Sequence, residues 1–396
     1  GETDQERWVA ALKRAVRQFS TAAPVPAITD VDVDAVLSNR LKFVPTDFRL
    51  LTLLGRGSFG KVIKVQHVAT GRIYALKVIN KTRFASMKNI IEVRREKALL
   101  ELVNHPFIVG YHGMFQTPTK LYLLFDFLSG GELFYHTQQA PDHHFDEPAC
   151  RVYLAEMAKA VEHLRQLNII HRDIKGNNFI LDADGHVVLT DFGFAKSSND
   201  RTRNKSTCGT LAYIAPEVIC PTDLGYGTEV DWWGLGVVFF TMLTGFFPFL
   251  RPTAEATARA IAFDPVRFPD KPALSEEAKM LCTALLEKDP KRRLATLDQL
   301  KVQPFFAGFD WLACLERRIV PPFVPDRRGS NTKYFSPKFT QDVSACLASA
   351  GGDANHDLLP ATRRTWDLFG SQYRDAEGRG SDPDETEGTA EDMSEM

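Results

Sequence analysis

The segment His171-Arg172-Asp173-Ile174-Lys175-Gly176-Asn177-Asn178, with Asp191-Phe192-Gly193 after it, decides how this chain reads. An Asp, a Lys two residues on and an Asn five residues on, followed by a second Asp-led turn, supply the groups that phosphoryl transfer from Mg-ATP demands. One carboxylate accepts the proton of an attacking hydroxyl, and a lysine neutralises charge on the moving phosphoryl group. An amide oxygen and a second carboxylate hold metal against the triphosphate. As a lone surface turn His-Arg-Asp would mean little; the ordered set at this spacing is specific.

The rest of such an apparatus lies upstream. Leu54-Gly55-Arg56-Gly57-Ser58-Phe59-Gly60-Lys61-Val62 closes an apolar run, Leu50 to Leu54, that reads as a strand. Glycines let backbone amides approach phosphates closely. Dinucleotide-binding folds share the G-x-G-x-x-G spacing, but there a helix opens directly from the glycines. Here β-type residues follow (Val62, Ile63, Val65), then a Thr70-Gly71 turn and the strand Ile73 to Ile79, which predicts a hairpin over a nucleotide. Lys77 alternates with apolar neighbours on that strand. A lone lysine there would ordinarily snorkel to water, and a buried ammonium without a partner is expensive. Its natural partners are the ATP α- and β-phosphates and a carboxylate. Glu92, Glu96 and Glu101 in the next helical segment all qualify by pattern; Glu96 precedes the most apolar stretch and is the choice made here.

With these residues quoted, the chain resembles the AGC group of eukaryotic protein kinases, most closely the protein kinase B (RAC) branch. Thr46-Asp47-Phe48-Arg49-Leu50-Leu51, Asp231-Trp232-Trp233-Gly234-Leu235-Gly236, Pro321-Pro322-Phe323-Val324-Pro325 and Tyr334-Phe335-Ser336-Pro337-Lys338-Phe339-Thr340 carry the likeness, which spans 47 to 340 almost without gaps. It implies an α+β, bilobal fold, with a β-rich small lobe carrying one key helix, a larger helical lobe and a C-terminal tail. It also implies an ATP- and Mg²⁺-dependent enzyme phosphorylating protein hydroxyls, with Gly209-Thr210 favouring Ser/Thr over Tyr acceptors. Asp173 would be the catalytic base and Lys175 its bridge to the γ-phosphate, while Asn178 and Asp191 would ligate Mg²⁺ through hard oxygens. Thr210 would hydrogen-bond the Asp173–Lys175 pair. Val62, Ala75 and Ile180 would sandwich adenine, and Asp126 and Leu128 would form the hinge behind Phe125. Glu132 would meet the ribose or a substrate arginine. Glu217 with Arg293, and Asp231 beneath the His-Arg-Asp backbone, are expected to be structural. Ser206 is the expected activation site, its phosphate ordered by Arg172, with Thr207 as the competing acceptor.

Organisation and composition agree with that reading. At 396 residues the chain holds one large bilobal domain plus extensions, and 44% hydrophobic content supports a proper core. A formal charge of −2 gives no global pull toward nucleic acid. The six cysteines are scattered without a C-x-x-C pair, which suits reduced thiols and a cytoplasmic setting. The longest apolar run, Trp232 to Phe249, follows Asp231, is broken by glycines and contains Pro248, so a buried helix fits better than a membrane span. No secretory signal is read. Residues 1–20 place Trp8, Ala11, Leu12, Val16 and Phe19 on one helical face behind a Thr3/Glu6 capping box. They resemble the last helix of a pleckstrin-homology domain, so a start at Gly1 reads as truncation. Membrane phosphoinositide would be a partner only if the full domain lies upstream; the other expected partners are protein substrates and an upstream activating kinase. Residues 21–46 read as linker, 47–306 as the kinase domain, 307–370 as its tail, and 371–396 as an acidic, disordered end.

Departures from the group's pattern concern substrate choice. Asn177 and Thr241 stand where glutamates are usual, and Ala212 where an acid is usual; Glu132 is the remaining acid of that set. A weak demand for arginine two residues before the acceptor is therefore expected. Gly176 replaces a usual proline, an entropic loosening of up to about 1 kcal/mol. Trp366-Asp367-Leu368-Phe369-Gly370-Ser371 keeps the aromatics of the tail's hydrophobic motif, with glycine at the phosphoacceptor place. Because Lys77, Glu96, Asp173, Lys175, Asn178 and Asp191 are all in place, an active enzyme is expected over a pseudokinase scaffold. A phosphoinositide-binding adaptor would need the missing N-terminal domain.

Overall fold

The computed structural model describes residues 43–56, 60–81, 87–198, 209–220, 225–326 and 332–340. The N-terminal helix and most of the linker, Gly57, Ser58, Phe59, Ser206, Thr207, Cys208, the Trp366–Ser371 motif and the acidic end lie outside these residues. Two compact units result: one holds Ile91–Tyr111 with Asp126–Phe335, the other the described parts of Val31–Ile90, His112–Phe125 and Ser336–Met396. The first is largely helical and the second a sheet, in keeping with the α+β, bilobal division that the sequence implied.

The sheet unit is built on strict alternation. Strands β1 (Phe48–Arg56), β2 (Gly60–His67), β3 (Ile73–Asn80), β4 (Tyr111–Gln116) and β5 (Lys120–Asp126) form one sheet in the order β1-β2-β3-β5-β4. The β2–β3 register pairs Ile63 with Leu76 and Val65 with Tyr74. Side chains alternate between faces along each strand, and these four enter one core with Phe48, Leu53, Val78, Phe115, Tyr122 and Leu124. The same register pairs Val62 with Lys77 and Lys64 with Ala75, so Val62, Ala75 and Lys77 share the opposite face. The short helix Pro337–Thr340 returns to β1, and its Phe339 packs against the core.

Helix α1 (Met87–Leu102) follows β3, with Glu96 buried in its described part. In the helical unit, α2 (Leu133–Gln139) precedes α3 (Glu147–Gln166), which Asp146 caps by accepting the Ala149 amide at 2.9 Å. α3 packs against α5 (Glu229–Thr244), reached through the short α4 (Pro216–Ile219). Every residue of α5 from Val230 on is buried. The apolar run forms the buried helix expected of it as far as Gly245, which caps α5 in the left-handed region at φ +77°, and Phe246–Phe249 continue as loop. Among the described residues no helix is long and apolar enough to cross a membrane. α5 comes very near the catalytic loop, because a Cβ on Gly234 would lie 2.9 Å from the Ile174 carbonyl oxygen.

Candidate active site

The loop after the strand β6 (Ile169–Ile170) carries the candidate residues Asp173, Lys175 and Asn178, and its backbone is gripped by Asp231. Asp231, buried in the first turn of α5, accepts the His171 amide on one carboxylate oxygen at 2.7 Å and the Arg172 amide on the other at 2.8 Å. Burial pushes this carboxyl up to about 7, against the pull of the two amides. Between those anchors Arg172 adopts φ +68°, a conformation that costs a non-glycine residue energy and persists where the surroundings over-determine it. The His171 ring is fully buried; its Nε2 lies 3.1 Å from the Thr190 carbonyl and its edge meets Phe192 at 5.1 Å between centroids. Burial lowers its basicity, which keeps it a neutral spacer beneath the loop. Asp231 is thus the backbone clamp that the resemblance implied.

On this support four polar residues converge. Lys175 Nζ lies 2.6 Å from Asp173 Oδ2 and 3.3 Å from Thr210 Oγ1, and the Thr210 hydroxyl reaches Asp173 Oδ1 at 3.4 Å. Asn178 Nδ2 donates to the Asp173 carbonyl at 2.8 Å and to Asp173 Oδ2 at 3.0 Å. With its NH₂ committed inward, Asn178 presents its amide oxygen, which is the atom a hard cation takes. Asp191 is exposed and holds φ +61° at the start of its turn. Among the described residues no group of three His, Cys, Asp or Glu side chains is placed to hold a metal alone. The donor set therefore fits an ion shared with phosphate oxygens.

Glu132, at the N-cap of α2, accepts Asn177 Nδ2 at 2.6 Å, a pairing the sequence reading did not foresee. Ile180, in β7 (Phe179–Leu181), bridges to Glu132. Asp126 donates its amide to the Gly110 carbonyl at 2.9 Å, and Leu128 is half-buried two residues on. Thr241 is buried in α5, and its hydroxyl donates to the Val237 carbonyl at 2.8 Å, so it serves its own helix. Gly176 is also explained by packing: a Cβ there would sit 3.1 Å from Phe134 Cβ, and Phe134 donates its amide to the Gly176 carbonyl at 3.2 Å. Phe134 therefore packs closely over this glycine, and a side chain here would press on it by a few tenths of an ångström. No local signal in the sequence marks either partnership.

In the sheet unit, Lys77, Ala75 and Val62 share their face as described, and Leu54 is buried at the end of β1 beside Gly55. Gly60 is compelled by strand pairing, since a Cβ would meet the Val78 carbonyl oxygen. Of the carboxylates weighed on α1 whose side chains are described, Glu96 is buried, whereas Glu101 pairs with Lys97 at 3.7 Å. Glu217 and Arg293 form a doubly bonded pair at 2.6 and 2.8 Å.

Comparison with known proteins agrees with this geometry. The family model described as "Protein kinase domain" matches residues 48–306. The chain is 41% identical over 326 residues to a RAC family serine/threonine-protein kinase homolog of Dictyostelium discoideum, covering 82% of this chain and 71% of that protein. It is 39% identical over 353 residues to RAC-beta serine/threonine-protein kinase B of Xenopus laevis, covering 88% and 71%. Over 305 residues it is 42% identical to human serine/threonine-protein kinase Sgk1, covering 75% and 69%. Ordered catalytic groups on a clamped loop, a family model over most of the chain and relatives of one kind together place this chain in the protein kinase family, among the AGC Ser/Thr kinases.

Proposed function

We propose that this ATP-dependent Ser/Thr protein kinase performs transfer through Asp173 and Lys175, with Asn178 and Asp191 as the protein ligands of Mg²⁺ and Lys77 with Glu96 as the phosphate anchor. The observation that carries the reading is the convergence of Lys175, Thr210 and Asn178 on the Asp173 carboxylate, all within 3.4 Å. Asp173 orients the acceptor Ser or Thr hydroxyl and takes its proton as the new O–P bond forms and the bond from the γ-phosphorus to the β,γ-bridging oxygen breaks; ADP leaves. Lys175 stays on Asp173 and neutralises charge on the transferring group. When bound, the metal supplies charge neutralisation on the triphosphate.

Leu54, Gly55, Gly57, Ser58, Phe59, Gly60, Val62, Ala75, Asp126, Leu128 and Ile180 are assigned to the nucleotide, with Glu132 at its rim. Phosphorylation of Ser206 by an upstream kinase, read through Arg172, is the proposed switch. The Arg172 Nε already donates to the Phe194 carbonyl at 2.5 Å, which ties this side chain to the segment it would order. The test is transfer of labelled γ-phosphate from Mg-ATP to Ser and Thr peptides by the full chain and by Asp173→Asn. Equal transfer by both proteins would overturn the assignment. ATP binding without transfer by either would make the chain a pseudokinase.

A further inference from the structure

The turn between β7 and the strand β8 (Val187–Leu189) forms one wall of an open cleft of about 450 Å³, which no residue of the catalytic loop lines. The other wall is the chain from Arg317 to Pro321, just after the short helix Trp311–Leu315. Asp182 ties the two walls together. One of its carboxylate oxygens accepts the amides of Asp184 at 2.9 Å and His186 at 3.1 Å, and the other accepts Arg317 Nη2. Gly185, at φ +94°, lies so close to the second wall that a Cβ would strike the Phe323 carbonyl oxygen and come within 3.1 Å of Pro321. The Arg318 amide is fixed on the Ala313 carbonyl at 2.8 Å. This cleft is therefore built before any ligand arrives.

One side chain lining it is buried and only half used. His186 is 4% exposed, and its Nδ1 donates at 2.6 Å to Glu156, which is fully buried; the Val187 amide takes the other Glu156 oxygen at 2.9 Å. A carboxylate on Nδ1 fixes the tautomer and leaves Nε2 as a lone-pair acceptor. Among the described residues that nitrogen has no partner. Arg317 spends Nη2 on Asp182, and its other N–H groups likewise have no acceptor among the described residues. Arg318 pairs with Glu316 at 2.7 Å on the exposed side. A ligand here must both donate and accept. A carboxylate would suit the arginines and oppose the Nε2 lone pair, and an ammonium would do the reverse. A phosphate monoester, with its second pKa at about 6, carries a P–O–H donor and P–O⁻ acceptors on one group. Asp184 also lines the cleft, which favours a singly charged group over a polyphosphate.

We propose that this cleft binds a phosphate monoester group, with His186 Nε2 accepting its P–O–H and Arg317 and Arg318 donating to its other oxygens. The site stands apart from the transfer machinery and goes beyond the kinase reading; the group arrives on a phosphorylated side chain or as free phosphate. Calorimetric titration of the full chain, free of nucleotide and metal, compares inorganic phosphate, a phosphoserine peptide and the same peptide unphosphorylated. At least one phosphate compound binds with Kd below about 1 mM, the unphosphorylated peptide does not, and the ¹⁵N resonance of His186 Nε2 moves with saturation. A tighter phosphopeptide assigns the site to a polypeptide, whereas inorganic phosphate binding at least as well assigns it to the group alone. Val320 is 80% exposed and lines the mouth, so Val320→Glu adds a repelling charge without disturbing the core. That variant and Arg318→Ala each weaken binding roughly ten-fold or more. The proposal is overturned if neither phosphate compound reaches that affinity, if the unphosphorylated peptide binds as well, if either variant binds as the unaltered chain does, or if Nε2 does not respond.

Discussion

Lys175 with Asp173 and Arg293 with Glu217 both close at 2.6 Å, yet the two pairs do opposite jobs. The Arg293 side chain is completely buried, and its five N–H groups meet both Glu217 oxygens and the carbonyls of Glu229, Glu287 and Lys288. Its guanidinium also lies 5.1 Å from the Trp233 ring centre. Every donor is used and nothing is left for a ligand. Lys175 is 20% exposed and spends bonds on Asp173 and Thr210; among the described residues its third N–H has no acceptor. Contact distance therefore does not report role. Saturation does: a fully matched buried charge holds the fold together, and one with valence to spare is poised for a substrate.

The contrast can be broken most directly at its two ends. Asp173→Asn keeps the shape of the loop and removes the proton acceptor, so kcat should fall by about 10²–10⁴ with the melting temperature nearly unchanged. A variant that melted early instead would mean that Asp173 is a structural residue like Arg293. Arg293→Ala leaves Glu217, whose side chain is only 9% exposed, without its partner and should cost about 3–5 kcal/mol of stability. Urea unfolding of both proteins measures this, and a change under about 1 kcal/mol would refute the saturation argument.

Acid should loosen packing away from the catalytic loop. His105 stacks on His163 at 5.0 Å between centroids, with Phe107 donating its amide to His105 Nδ1 at 3.2 Å. Burial first, then the neighbouring His163 and Lys159, holds His105 at about 4, below its ordinary 6.5. Because the unfolded chain binds the proton more readily, this contribution is intact above pH 6.5 and is lost as pH falls toward 4. Melting temperature should decline across that window, and His105→Gln should flatten the decline; an equal slope in both proteins would locate the titration elsewhere. The smallest effect is expected at the rim. Asn177→Ala releases Glu132 from its 2.6 Å bond and should improve kcat/KM for an arginine-bearing peptide by roughly five-fold, within the worth of one hydrogen bond to a charged group. An unchanged peptide profile would show that Asn177 does not limit that carboxylate.

Legibility followed the range of the contact. Asp173, Lys175 and Asn178 fall within one short stretch, so chain connectivity alone brings them together, and their spacing could be read as chemistry from the sequence. The hairpin of β2 and β3 was equally readable, because period-two alternation determines which side chains share a face. At Gly176 the cost in backbone entropy is visible in a sequence, whereas the close packing of Phe134 is not. The buried helix expected in the apolar run formed, and its end at Gly245, where left-handed backbone closes α5, is one of the glycine breaks the sequence displayed.

By itself the sequence determined the kinase class, the β2–β3 hairpin and the closeness of Asp173, Lys175 and Asn178, since each rests on residues close along the chain whose geometry local backbone rules constrain. Only the tertiary structure decided which charge would be saturated. The Asp231 clamp, 60 residues from His171, and the Glu217–Arg293 pair, 76 apart, were legible only through the resemblance, and Asn177 finding Glu132 across 45 was not legible at all. Contacts over such separations have no periodicity to read; they exist because buried polar groups must be matched inside a particular packing of helices, and that packing becomes visible only when the chain is folded.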